Sequence, residues 1–157
     1  MKTLDFIRLD ANASNQVVNA LQQLLADYHV FYANLRGLHW NIQGKKFFAL
    51  HQKFEELYDE VADQIDEIAE RILTLGGVPA HNLSAYLKVA KLKESDYVAG
   101  SEQAVKLVLD NLAYLIAAER TVIEVAGKAN DEGTTAIMSD YIRDQEKLVW
   151  MYTAWLS

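Results

Sequence analysis

Apolar positions recur at helical spacing along almost the whole chain. The stretch VVNALQQLLADYHVFYANLRGLHW predicts a first long helix, capped by Asn12 or Ser14 and continuing to about Asn41. Gly44 breaks it. A second helix follows from about Lys45 to Leu75, with Phe54, Leu57, Val61, Ile65, Ile68 and Ile72 on one face. Gly76-Gly77 and then Pro79 form a strong stop signal. The connection over roughly 78–100 is long for a simple hairpin, and SAYLKVAKL within it suits a short helix. A third helix spans about Ser101 to Lys128, with Ala104, Val108, Leu112, Leu115 and Ile123 on its apolar face. Asn130 to Gly133 reads as a turn, and a fourth helix runs from about Thr134 to Trp155. The first ten residues are expected to be extended. The pattern predicts an all-α chain: one domain over residues 1–157, four long helices, and a short helix in the crossover between the second and third.

Composition narrows the class. Half the residues are apolar and there is a single proline, which favours long uninterrupted helices. With no cysteine there is no disulfide and no thiolate metal site, compatible with a reducing cytoplasm. The N-terminus MKTLDFIRLD lacks the apolar core of a secretory signal, and no apolar run approaches the roughly 18–20 residues of a membrane span. A net charge of −7 argues against a surface that coats nucleic acid.

The second helix carries the candidate chemistry. Between positions 55 and 70 it has Glu or Asp at 55, 56, 59, 60, 63, 66, 67 and 70, and no Lys or Arg. His51, Glu55, Asp59, Asp63, Asp66 and Glu70 step by four or three into a stripe beside the apolar face. A solvated face is the ordinary reading of such a run. Solvated faces normally mix signs, however, because each like-charge pair at this spacing costs about 0.2–0.5 kcal/mol. A bound cation would relieve the repulsion. Imidazole plus carboxylate suits a first-row metal such as iron, manganese or zinc.

Helix geometry constrains where that metal sits. His51 and Asp66 are fifteen residues apart, a rise of about 22 Å, so one straight helix cannot bring both to one ion. If both are ligands, Asp66 and Glu70 belong to a second copy, opposite His51 and Glu55 across a two-fold axis. Two such sites then occur per dimer. His39, twelve residues before His51, joins the candidate set through that pairing; His29 reads as structural and His81 as a solvated loop residue. No Glu-x-x-His occurs anywhere, so a di-iron centre enclosed in one bundle is disfavoured. Absence of H-E-x-x-H, a Walker loop, G-x-G-x-x-G and G-x-S-x-G removes support for hydrolase and nucleotide-dependent readings.

LHWNIQG, FFALHQKFEELYDEV and DEIAERILTLGG resemble the signature of the Dps family, the DNA-binding proteins from starved cells or miniferritins. The likeness covers essentially the whole chain, from ADYHVFYANLRG to RDQEKLVWM, and the helix pattern is that of a ferritin-like bundle. The resemblance implies a ferroxidase site of His39, His51, Asp66 and Glu70, with Glu55 at the auxiliary carboxylate position, holding two irons between two-fold-related subunits. It further implies oxidation of Fe(II) by hydrogen peroxide, and a cytoplasmic homo-oligomeric shell of about twelve chains around a ferric mineral. Trp40 then quenches radicals or simply packs, and Trp150 and Trp155 are expected to pack. Glu56 and Glu60 face either the cavity or solvent, and Asp131 and Asp140 are candidates for an acidic entry channel. The alternative is a structural protein that compacts the nucleoid. Founding members bind DNA through a mobile basic tail, whereas this N-terminus offers only Lys2 and Arg8 beside Asp5 and Asp10. Twelve copies at −7 each carry about −84 charges, which repel phosphate, so tight DNA binding is not expected.

Overall fold

A computed structural model describes residues 3–157; Lys2 lies outside the described residues. Six helices occur among the described residues: α1 (Thr3–Ile7), α2 (Ala11–Asn41), α3 (Phe47–Thr74), α4 (Leu83–Val89), α5 (Ser101–Lys128) and α6 (Glu132–Leu156). The all-α expectation holds, and the third long helix has the expected ends. The extended N-terminus does not hold: α1 is helical over five residues, too short to leave a periodic signal, and Arg8 closes it at φ 60°. The cap of α2 is Asp10, whose Oδ1 accepts from the Ala13 N–H at 2.8 Å. Ser14, one of the expected caps, is instead buried.

Two helix ends share one kind of turn, at the entry to the crossover and in the α5–α6 hairpin. At the end of α3 the Gly76 N–H donates to Leu73 O and the Gly77 N–H to Ile72 O, both at 2.9 Å, with Gly76 at φ 81°. This is the Schellman arrangement that the Gly-Gly pair signals. The end of α5 repeats it with Asn130 in the left-handed position and the Asp131 N–H bonded to Ala126 O. Asp131 then serves as the cap of α6, accepting from Thr134 N at 2.9 Å, so the fourth helix starts two residues before its expected onset.

The central helix is α2, which packs against α3, α4 and α5, while α5 packs against α6. Asn34 bonds Asn111 at 2.9 Å and Tyr28 bonds Glu119 at 2.6 Å, so α2 and α5 run antiparallel. The crossover is strapped to α2 by polar side chains. Gln22 holds Val78 O and Ala80 N, Gln23 holds Val89 O, and Asn34 holds Lys93 O and Ser95 N. Asp27, fully buried, accepts from the Lys91 and Leu92 amides on Oδ1 and from Tyr114 Oη and Gln23 on Oδ2. A structureless connection exposes backbone groups that need partners, and α2 supplies them.

One polar cluster lies inside the bundle itself. Tyr28 Oη donates to Glu119 Oε1 at 2.6 Å, and the Gln145 amide donates to both Tyr28 Oη (2.8 Å) and Glu119 Oε1 (2.6 Å). Glu119 Oε2 has no partner. Burial pushes the Glu119 carboxyl up to about 7 against an ordinary 4.5, with the Tyr28 and Gln145 hydrogen bonds opposing the rise. The folded chain therefore holds this proton more tightly than the unfolded chain. Its stability contribution is complete below about 4.5 and is lost as pH rises through about 7. Glu119→Gln is expected to be more stable than the parent at pH 8 by about 2–3 kcal/mol, and level with it near pH 4.5. Urea melts at both pH values measure this; equal differences at the two would contradict the assignment.

Candidate metal centre

The five residues 42–46, with Gly44 at φ 98°, turn α2 back along α3 and set the last turn of one beside the first turns of the other. His39 and His51 meet there. His39 Nδ1 lies 2.7 Å from His51 O, and His51 Nδ1 lies 2.8 Å from His39 O. A carbonyl only accepts, so each Nδ1 carries the hydrogen and each Nε2 is left with a free lone pair. The rings are stacked at 3.7 Å and 18°. Phe47 stacks on His51 at 4.8 Å, and the edge of Tyr58 meets His39 at 5.4 Å. Both imidazoles are thus fixed in orientation and in the tautomer that binds a metal.

The carboxylates form a second region. Glu55 is exposed one turn beyond His51, and Asp66 and Glu70 are exposed three to four turns further on. Asp66 and Glu70 line a shallow groove of about 530 Å³ between α3 and α6, together with Glu60, Asp63, Glu67, Asp140, Tyr141, Arg143 and Asp144. Tyr141 Oη donates to Glu67 at 2.5 Å. Among the described residues, no three His, Asp or Glu side chains converge on one point that a metal ion could occupy. The structure therefore brings His39 and His51 together and, separately, Asp66 and Glu70. The two pairs do not meet within one chain.

Arg143 of α6 lines the same groove as Asp63, Asp66 and Glu70, but its ion pairs stay within its own helix, with Asp140 at 2.7 Å and Asp144 at 2.9 Å; Lys53 pairs with Glu56 of the acidic run at 3.2 Å. Asp131 is corrected outright. Its side chain is 1% exposed, caps α6 and is ion-paired to Arg71, so it faces no channel of this chain. Asp140 does remain exposed at the groove. His29 stacks on Tyr86 at 3.9 Å and His81 is exposed, as expected.

Two of the tryptophans do not pack within the chain. Trp40 is 62% exposed beside the imidazole pair, with the Arg36 guanidinium 4.5 Å from its ring, and Trp150 is 67% exposed. Trp155 is half-buried under Lys46. Phe48, and Leu83 and Leu87 of α4, are further large apolar side chains left exposed. No helix among the described residues is long and apolar enough to cross a membrane.

Comparison with known proteins places this arrangement. Residues 18–157 match the ferritin-like domain family. A DNA protection during starvation protein of Porphyromonas gingivalis is 47% identical over 98% of this chain and 97% of its own length. The crystal structure of a Dps protein from Vibrio cholerae, described as belonging to a broad superfamily of ferritin-like diiron-carboxylate proteins, superposes with a TM-score of 0.93 at 52% identity. It covers 95% of this chain and 94% of that one. A Dps protein from Bacillus brevis superposes with a TM-score of 0.90 at 36% identity, covering 93% and 98%. The bundle, the crossover helix and the histidine pair at the α2–α3 turn thus sit in a chain that belongs to the Dps family of ferritin-like proteins.

Proposed function

We propose that this protein stores and detoxifies iron as a ferroxidase. In this reading it oxidises Fe(II) with hydrogen peroxide at sites shared between two-fold-related subunits and keeps the ferric product inside a shell of about twelve chains. The observation that carries the reading is the histidine clasp. It presents two lone pairs at one end of α3, while the exposed carboxylates Asp66 and Glu70 wait about 22 Å away on the same helix. Each half lacks what the other has. Antiparallel pairing of two α3 helices joins His39, His51 and Glu55 of one copy to Asp66 and Glu70 of the other. Exposed Trp40 and Phe48 beside the clasp, and Leu83 and Leu87 on α4, supply apolar surface for such pairing.

Fe(II) is the substrate. Neutral imidazole and carboxylate oxygen hold it, and the carboxylates favour Fe(III) as charge builds. Two Fe(II), one peroxide and two protons give two Fe(III) and two waters. The electrons leave as a pair, and hydroxyl radical is not released. Anaerobic Fe(II) loading followed by peroxide titration, read by ferric absorbance, is expected to end near about two Fe(II) per peroxide. An endpoint far from that ratio would count against paired-iron chemistry.

The relatives' names speak of protecting DNA, and the surface charge separates two ways of doing so. A chain of net charge −7 does not gather phosphate, and protection then comes from removing iron and peroxide. In a mobility-shift assay at moderate salt, free migration of DNA at micromolar protein is expected; retention would favour the nucleoid-compacting alternative.

A further inference from the structure

One cation beside the histidine clasp has no anion in its own chain. The Arg36 guanidinium is half-buried, 4.5 Å from the Trp40 ring and 5.4 Å from the Tyr32 ring. Contact with aromatic faces fixes its position but uses none of its N–H donors. Among the described residues, no carboxylate lies within ion-pair distance of it. Further along α3, Asp63, Asp66 and Glu70 are exposed and likewise make no ion pair. Ring contacts across the α2–α3 hairpin give the register between these groups. Tyr32 lies beside Tyr58 at 5.8 Å, and His39 beside His51 at 3.7 Å. In each pair the residue numbers total 90, so Arg36 is level with Phe54. With His51 of one copy facing Asp66 and Glu70 of the other, the two-fold axis crosses α3 near about position 60. Phe54 is then level with about position 66 of the partner subunit, and Asp63 precedes that position by about one turn on the same stripe.

We propose that Arg36 pairs with Asp63 of the partner subunit, twice per dimer, and so sets the register that puts the partner subunit's Asp66 opposite the clasp. The register is taken from the shared-site reading, and the proposal rests on it; the ion pair itself needs no iron. Asp63 is the carboxylate at that level with no part in the proposed metal site, so pairing it does not compete with Fe(II). Trp40 and Tyr32 order the guanidinium beforehand, which lowers the entropy lost when it pairs. The exposed Trp40 surface beside it sheds water as the copies meet, and the ion pair strengthens as the local dielectric falls. Each Arg36 also offsets one charge in a stripe where like charges repel. Arg36 touches neither iron nor peroxide in this arrangement. It is a positioning residue, and a second copy of this chain is what it recognises.

A charge swap tests this without iron. The whole iron-free protein, Arg36→Glu, Asp63→Arg and the double variant are compared by sedimentation over a dilution series, with folding checked by circular dichroism. Each single reversal sets like charges against each other across the two-fold axis. It is expected to raise the concentration for half-assembly by about 30-fold or more. The double variant restores opposite charges at both places and is expected to return to within about 5-fold of the parent. Asp63→Arg discriminates by itself, because Asp63 is exposed and the variant keeps its fold. Within its own chain the new cation relieves repulsion along the stripe, so a purely local role would leave assembly unchanged. Unchanged assembly in Asp63→Arg, or a double variant no better than the weaker single one, overturns the proposal. Failure here leaves the peroxide titration standing, and failure of that titration leaves the charge-swap result standing.

Discussion

Mixing His51→Ala chains with Asp66→Ala chains is expected to restore about a quarter of the parental peroxide-driven Fe(II) oxidation, although each variant alone is slowed by about 100-fold or more. The argument is combinatorial. In a mixed dimer, one site receives both altered residues and the other receives neither. Random pairing makes half the dimers mixed, and half the sites in those are intact. An active centre built within one chain has no such recovery, since every chain would carry a defect. Chains are unfolded together, refolded at equal ratio, and assayed against each variant refolded alone. Absence of recovery, with dimers shown to have exchanged, would sink the shared-site reading. His51→Ala has a large effect for a further reason: it also removes the donor that holds His39 O and the ring stacked on His39, so the remaining imidazole loses its orientation.

The largest stability effect is expected at Asp27. Replacing it with Ala leaves the Lys91 and Leu92 amides, the Tyr114 hydroxyl and one Gln23 bond without their acceptor, three of these four in sheltered positions. Each unsatisfied buried donor costs about 1–3 kcal/mol, and with partial relaxation the sum is about 4–5 kcal/mol. Asp27→Asn keeps one acceptor oxygen and is expected to cost about half as much. Urea melts give both numbers. A loss below about 1 kcal/mol for the Ala variant would mean that water replaces the carboxylate, and that the straps matter little.

Much of this fold was readable because its elements are long and periodic. Apolar spacing located four long helices and the crossover helix, and the Gly-Gly pair located the end of α3 within two residues. What escaped was short or tertiary. The five-residue α1 has no period to detect, and Asp10 competed with Asn12 and Ser14 as a cap with nothing local to decide between them. Polar Gln22, Gln23, Asp27 and Asn34 interrupt an apolar helix, yet their partners lie 56 to 87 residues away in the chain. The candidate site divided the same way. Spacing put His51, Glu55, Asp59, Asp63, Asp66 and Glu70 on one stripe and showed that one straight helix cannot bring His51 and Asp66 to one ion, whereas the choice of His39, His51, Asp66 and Glu70 came from the family resemblance. The reciprocal Nδ1–carbonyl bonds depend on the angle between two helices, and Arg143 joins Asp66 and Glu70 in lining the groove from a helix about eighty residues on; helical arithmetic along one segment contains neither.

The clasp between His39 and His51 belongs to one hairpin and needs nothing from outside the chain. On the shared-site reading, a newly made subunit therefore carries its imidazoles already arranged but no complete centre. Reactivity switches on at the moment two subunits meet, which is also the first step toward enclosing the product. On the same reading, monomers awaiting assembly hold iron weakly and do not turn it over. If the site is shared in this way, the geometry of a single turn acts as a safety interlock, tying the onset of oxidation to the presence of a container.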